Sequence, residues 1–275
     1  MGFEQFFLCP ICKNGFSLTN NTLKCSKGHC FDISSSGYVN LLKPGKMNNA
    51  KAGDSKEMIS ARSSFFESGA YSKIKDTICN ICSELGGYLI VDAGCGEGYY
   101  TEGIALSSQN ATVIGFDMSK FGCEHGSKHA KKREVENVLY AVSSIFEMPI
   151  ADCSADIIVN MFAPVADKEF SRVLSPNGYL IVGSAGISHL DGLKAKIYDI
   201  SYPNEEKFLE YEDFELITTK RLKYSVEITG NDTIYNLFSM TPYFHRTSLA
   251  DKEKLKEVSE IQTTIEVNFT IYKKK

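Results

Sequence analysis

The spacing of apolar positions changes several times along the chain. Residues 55 to about 85 follow a helical pattern, carried by Met58, Phe65, Phe66, Ile74, Ile78 and Ile81, and Gly69 divides the stretch into two helices. Short apolar runs then alternate with helical stretches. Strands are predicted over residues 88–91, 112–116, 138–142, 155–160 and 179–182, the last after a Pro176-Asn177-Gly178 turn, with helices over 99–108, 120–133 and 166–174. Apolar strands separated by helices imply an α/β fold whose parallel sheet is covered on both faces. Residues 214–229 and 261–272 alternate like strands, with one or two helices in 231–257 between them. An antiparallel pair at the sheet edge is the expected placement.

The front of the chain differs. Residues 1–43 are short, turn-rich and dense in cysteine, and 44–57 are polar, contain Gly, Pro and Asn, and lack periodicity, as in a linker or exposed loop. The expected organisation is a small module over 1–43, a linker and helices over 44–86, and a large domain over 87–275. A chain of 275 residues with 43% hydrophobic content can bury a sizeable core across such a pair.

No apolar run is long enough to cross a membrane, and the first eight residues lack the basic start and long apolar run of a secretion signal. A cytoplasmic location is therefore expected, and in a reducing compartment the nine cysteines should not be disulfides. The net charge of −4 does not advertise nucleic-acid binding. RNA contact would need local basic patches, such as residues 128–133 and 273–275, although these also suit a solvated helix face and a frayed tail.

The strongest single signal is Val91-Asp92-Ala93-Gly94-Cys95-Gly96-Glu97-Gly98, which follows an apolar strand and opens a helix. Gly94 and Gly96 allow a tight turn and let a ligand touch backbone, and Gly98 permits close helix–strand contact. The spacing G-x-G-x-G is not the dinucleotide fingerprint. No Tyr-x-x-x-Lys pair supports a dehydrogenase. A carboxylate at Asp92 would repel phosphate but suits an ammonium group. Asp117 ends the next strand, nineteen residues after Gly98, where a carboxylate can take both hydroxyls of a ribose.

Cys9-Pro10-Ile11-Cys12 and Cys25-Ser26-Lys27-Gly28-His29 form C-x2-C-x12-C-x3-H. Two knuckles of soft ligands can close a tetrahedron around Zn²⁺, and four protein ligands make the site structural. Cys30, beside His29, competes for the fourth position. A module this small can hardly fold on its own core, so metal decides whether it exists.

The turn and the terminal acid together resemble the class I methyltransferases, which bind S-adenosylmethionine on a doubly wound seven-stranded sheet. Further residues narrow the resemblance: Phe31-Asp32, Gly37 to Leu42, Gly53 to Met58, Ala61-Arg62, Phe65, Gly69, Tyr71, Phe162-Ala163-Pro164, His189-Leu190 and Met240 to Tyr243. Jointly they resemble the large-subunit rRNA guanine-N1-methyltransferases, nearly end to end, with a zinc-ribbon-like front module. The resemblance implies methylation of one guanine in a 23S rRNA stem-loop by a homodimer whose zinc modules help grip the RNA. It implies cofactor contacts from Asp92, Gly94, Gly96, Gly98, Tyr99, Tyr100, Thr101 and Asp117, with Ser143 and Ser144 bordering the adenine. It also makes His29 the preferred fourth metal ligand beside Cys9, Cys12 and Cys25. In this fold Asn160, Phe162 and Pro164 face the methyl donor. Asn160 is expected to hold the base edge, Phe162 to pack on its face, and His189 to shuttle a proton. Two other readings stand beside this one: a small-molecule or protein acceptor, and a cofactor-binding RNA module without turnover.

Overall fold

The computed structural model describes residues 2–43, 54–199, 203–206, 210–244 and 246–275. Most of the expected linker, including Gly53, lies outside the described residues. The front module is a three-stranded antiparallel sheet of β1 (Phe16–Thr19), β2 (Thr22–Cys25) and β3 (Cys30–Asp32), in that order. The chain then enters the large sheet directly as β4 (Tyr38–Asn40).

The helical stretch of the sequence is α1 (Lys56–Glu67) and α2 (Ser72–Leu85), parted at Gly69, where φ is +78°. The Ser55 hydroxyl accepts from the Met58 N–H and so caps α1. The alternating region is β5 (Leu89–Ala93), α3 (Tyr99–Ser107), β6 (Thr112–Asp117), α4 (Lys120–Lys132), β7 (Val138–Val142), β8 (Ala155–Met161), α5 (Asp167–Val173) and β9 (Leu174–Ala185). The Pro176-Asn177-Gly178 turn falls inside β9, where pairing with β8 shifts register between Ala155/Leu174 and Ile157/Tyr179. A seven-residue helix, α6 (Asp191–Ile197), follows. It escaped the sequence pattern because it is short and opens on Leu190, whose φ is +58°. The tail is β10 (Phe214–Thr229), α7 (Asn231–Ser239), α8 (Leu249–Lys254) and β11 (Glu260–Lys274), and its two strands form the expected antiparallel edge pair.

The strand order is β10-β11-β9-β8-β5-β6-β7-β4. Among the described residues the sheet therefore has eight strands. The expected seven are joined by β4, which pairs parallel to β7. Its three residues were too few to read as a strand from the sequence.

Central strands are apolar on both sides because both sides are covered. Ile90, Val113 and Ile157 point toward α2, α3 and α4. Val91, Ile114 and Phe116 point toward a second core, shared by α5 and by Phe3, Phe7 and Leu23 of the front module. The crossover from β7 to β8 holds no helix, and the module fills that place. Phe7 packs edge-on to Phe116 at 5.8 Å, and the Leu8 N–H donates to the Pro149 carbonyl at 2.8 Å.

Candidate functional site

A cavity of about 860 Å³ opens at the carboxyl ends of β5, β6, β8 and β9. This is where open α/β sheets take ligands, and the volume suits a nucleoside-sized one. The glycine turn is its floor. Gly94, Gly96 and Gly98 have φ of +90°, +55° and +89°, a region hostile to other residues. A Cβ on Gly94 would lie 2.7 Å from Cβ of Ala163, and one on Gly98 would lie 2.5 Å from the Tyr140 hydroxyl.

Asp117 ties the floor together. Its Oδ2 accepts from the Gly96 N–H at 2.9 Å and its Oδ1 from the Ser119 N–H at 2.7 Å. Burial raises its pKa, against those two hydrogen bonds. Asp92 lies deeper and is 1% exposed; its Oδ2 accepts from the Thr101 hydroxyl at 2.6 Å, while its Oδ1 is buried without a partner among the described residues. Burial pushes the Asp92 carboxyl up to about 7. An orphaned carboxylate oxygen beneath a bare-backbone cradle fits a ligand that carries an ammonium group.

This shift has a testable sign. The folded-state pKa lies above the unfolded one, so the ionised carboxylate costs nothing below about pH 4. The cost grows as pH rises through the window to about 7 and is full above it. Asp92→Asn should therefore raise the melting temperature of ligand-free protein by about 5 °C at pH 8.5 and by almost nothing at pH 4. Melting curves showing an equal change at both pH values would contradict this account.

Of the other residues singled out from sequence, Gly94, Gly96, Tyr100, Asp117, Ser144, Phe162 and His189 line the cavity. Thr101 is buried behind the turn, and Ser143 is buried with its N–H on the Asp117 carbonyl at 2.9 Å. Tyr99 turns away and stacks on Phe66 at 4.1 Å. Asn160 is fully buried. Its amide donates to the carbonyls of Ala93 at 2.8 Å and Pro164 at 3.2 Å. Both amide hydrogens are thus committed to bracing the wall between the glycine turn and Pro164, while Oδ1 is buried without a partner among the described residues and is the one group of this amide left for a base edge. Phe162 does stand in the cavity, 44% exposed, with φ of +55°. Strained backbone positions of this kind cluster at ligand sites.

His189 is 5% exposed, and both ring nitrogens are engaged: Nδ1 with the Glu266 N–H at 3.2 Å and Nε2 with the Tyr71 hydroxyl at 3.1 Å. Burial lowers its pKa to about 4, so the ring is neutral at physiological pH. A shuttle would need a free nitrogen and a pKa nearer neutrality.

Tyr71 and Arg62 also line the cavity. The Arg62 guanidinium lies over Gly96 and bridges Asp54 at 2.5 Å and Glu97 at 3.3 Å, closing α1 onto the turn. Burial lowers the Arg62 pKa, but Glu97 and Asp54 more than offset this, so it is raised overall. Both residues were visible only as members of a motif. Phe146, 61% exposed at the rim, gave no signal in the sequence.

In the front module, Cys9, Cys12, Cys25 and His29 converge, with their ligand atoms all within 4.8 Å of one another. Cys9 Sγ and Cys25 Sγ lie 3.5 and 3.3 Å from His29 Nδ1, and the Cys12–Cys25 sulfurs are 3.6 Å apart. These separations match or fall slightly below the edges of a tetrahedron with Zn–S of ~2.3 Å and Zn–N of ~2.0 Å, which are ~3.5 Å between sulfur and nitrogen and ~3.8 Å between sulfurs. Cys30 is exposed and, among the described residues, bonds only to the Gly28 carbonyl at 3.5 Å, so it is His29 that completes the cluster with the three cysteines.

The two basic stretches spend much of their charge internally. His129 and Arg133 pair with Glu102, Lys128 with Glu124, and Lys131 donates to the Ser35 carbonyl. Lys274 and Lys275 donate to the carbonyls of Leu174 and Glu212.

Residues 85–238, more than half of the chain, match the family described as a methyltransferase domain. The chain belongs to that family. Residues 7–49 of this methyltransferase match a second family, described as RlmA, N-terminal, a zinc ribbon. The methyltransferase is 26% identical over 279 residues to the 23S rRNA (guanine(748)-N(1))-methyltransferase of Streptomyces fradiae, covering 97% of this chain and 96% of the relative. It is 29% identical over 285 residues to a Bacillus subtilis (strain 168) protein provisionally named a 23S rRNA (guanine-N(1)-)-methyltransferase, with the same two coverages. Among solved structures, the YcgJ protein of Bacillus subtilis is 18% identical, with a TM-score of 0.47 covering 69% of this chain and 93% of that one.

Proposed function

We propose that this methyltransferase transfers a methyl group from S-adenosylmethionine to N1 of one guanine in a stem-loop of 23S ribosomal RNA. One observation carries the reading: 97% of the chain, zinc module included, aligns with a 23S rRNA guanine-N1-methyltransferase.

The roles we assign follow the geometry. The Gly94–Gly98 turn lies under the methionine part, with Asp92 and Thr101 beneath it and Tyr100 at its side. Asp117 takes the ribose hydroxyls, and Ser143 and Ser144 border the adenine. The cofactor supplies an electrophilic methyl on a sulfonium, so the protein's work is alignment of the acceptor. Phe162 packs on the face of the guanine, and Asn160 keeps the Ala93–Pro164 wall in place. The module of residues 1–43 contacts RNA, residues 44–86 connect it, and residues 87–275 carry the transfer. The reading includes a homodimer acting in the cytoplasm.

The test is primer extension on 23S rRNA from a deletion strain and its complemented parent. A methyl on N1 blocks the Watson–Crick edge and stops reverse transcriptase. One strong stop should vanish on deletion and return with the gene. An identical stop pattern in both strains would remove the reading.

A further inference from the structure

Tyr71 immediately precedes α2, packed edge-on to Phe65 at 5.1 Å and tilted against Phe66 at 5.8 Å. It is 3% exposed yet stands in the cavity wall. Among the described residues its hydroxyl has one hydrogen-bond partner, Nε2 of His189 at 3.1 Å. The direction of that bond is set from the far side of the imidazole. There the Glu266 N–H donates to Nδ1 at 3.2 Å, so Nδ1 carries a lone pair. A neutral imidazole with a bare Nδ1 holds its hydrogen on Nε2. Nε2–H therefore donates to the phenol oxygen, and the phenol's own hydrogen is left without an acceptor among the described residues. The His189 ring also lies nearly parallel to Phe162, at 5.9 Å and 27°. Phe162, His189 and Tyr71 thus form one continuous wall.

We infer that Tyr71 donates this hydrogen to the carbonyl oxygen, O6, of the acceptor guanine, and that His189 is the positioning residue that aims it. The inference rests on the guanine-N1 reading and deepens it. Methylation forms a bond between N1 and the methyl carbon and breaks the carbon–sulfur bond, whose electron pair stays on sulfur. The N1 proton leaves to solvent water, and the negative charge exposed by its loss is shared between N1 and O6. A fixed donor at O6 stabilises that charge without surrendering its own proton. The ionisable groups facing Tyr71 are Tyr100, Tyr224 and Tyr243, besides His189. Those around His189 are Lys194, Asp191 and Glu266.

The experiment uses the full zinc-loaded chain, S-adenosylmethionine and a transcript of the stem-loop that primer extension identifies. Tyr71→Phe should lower kcat about 10- to 100-fold and move the acid limb of the kcat–pH profile to higher pH. Calorimetric affinity for S-adenosylhomocysteine should stay within about twofold. An unaltered kcat and limb would overturn the inference. So would weaker S-adenosylhomocysteine binding with normal kcat, which would assign the phenol to the cofactor instead. A 3-fluorotyrosine placed at position 71 keeps the shape and sharpens the donor, and should shift the limb to lower pH; a limb that stays put also counts against it. Inactive wild-type protein removes the parent reading and this one together. Active wild type beside an unaffected Tyr71→Phe variant removes this one alone.

Discussion

Asp117→Ala is expected to raise the dissociation constant for S-adenosylmethionine about 100- to 1,000-fold. Two losses combine. The carboxylate is the proposed acceptor for both ribose hydroxyls, and a hydrogen bond to a charged group is worth about 1.5–3 kcal/mol. It also anchors the turn itself, through the Gly96 N–H at 2.9 Å and the Ser119 N–H at 2.7 Å. Without it, the Gly96 amide loses its acceptor at the point where the floor must stay open. Asp117→Asn retains acceptor capacity on one oxygen and should fall between the two. Isothermal titration with S-adenosylmethionine measures both variants. An alanine variant that binds within fivefold of wild type would mean that the ribose is held elsewhere.

The second large effect concerns the metal. Cys25→Ser, or chelation of the native protein, should lower the melting temperature by about 10 °C or more and reduce RNA methylation at least about 100-fold. Structural zinc sites in small modules contribute apparent free energies of about 10 kcal/mol or more. The three short strands of this module have little core of their own. The loss would not stop at the module, because its Phe3, Phe7 and Leu23 help to cover one face of the large sheet. Cys30→Ser is the internal control, since that thiol is exposed and stands outside the ligand cluster. It should change neither the melting temperature nor the zinc content measured by atomic emission, expected at about one ion per chain. A metal-free Cys25→Ser protein that melts like wild type would contradict a structural role for the site.

The alternating core was legible because its signals are local. Apolar runs such as residues 89–91 have no other use in a chain of this kind, and Ser55, Gly69 and the Gly94–Gly98 turn punctuate the helices around them. What the sequence hid depends on contacts across the chain. β4 is three residues long and becomes a strand only because β7 offers it an edge. α6 begins at a left-handed Leu190, a geometry that no residue pattern announces. At the site, the glycines and Asp117 were readable because their chemistry dictates their type. Asn160 was placed at the right strand end, but a sequence cannot tell an amide aimed into a cavity from one turned back to brace a carbonyl. The Tyr71–His189 pair is 118 residues apart, and its hydrogen-bond direction is set by a third residue, Glu266.

The parallel pairing of Tyr38–Asn40 with Tyr140–Val142 bears on any attempt to exchange substrate specificity between relatives. A transplant cut at the visible linker near residue 44 would carry a strip of the recipient's own β-scaffold away with the graft. A junction between Asp32 and Tyr38 would leave that scaffold whole. The cysteine-rich head is thus no detachable cartridge; through β4 and through Phe3, Phe7 and Leu23 it is built into the frame of the large sheet.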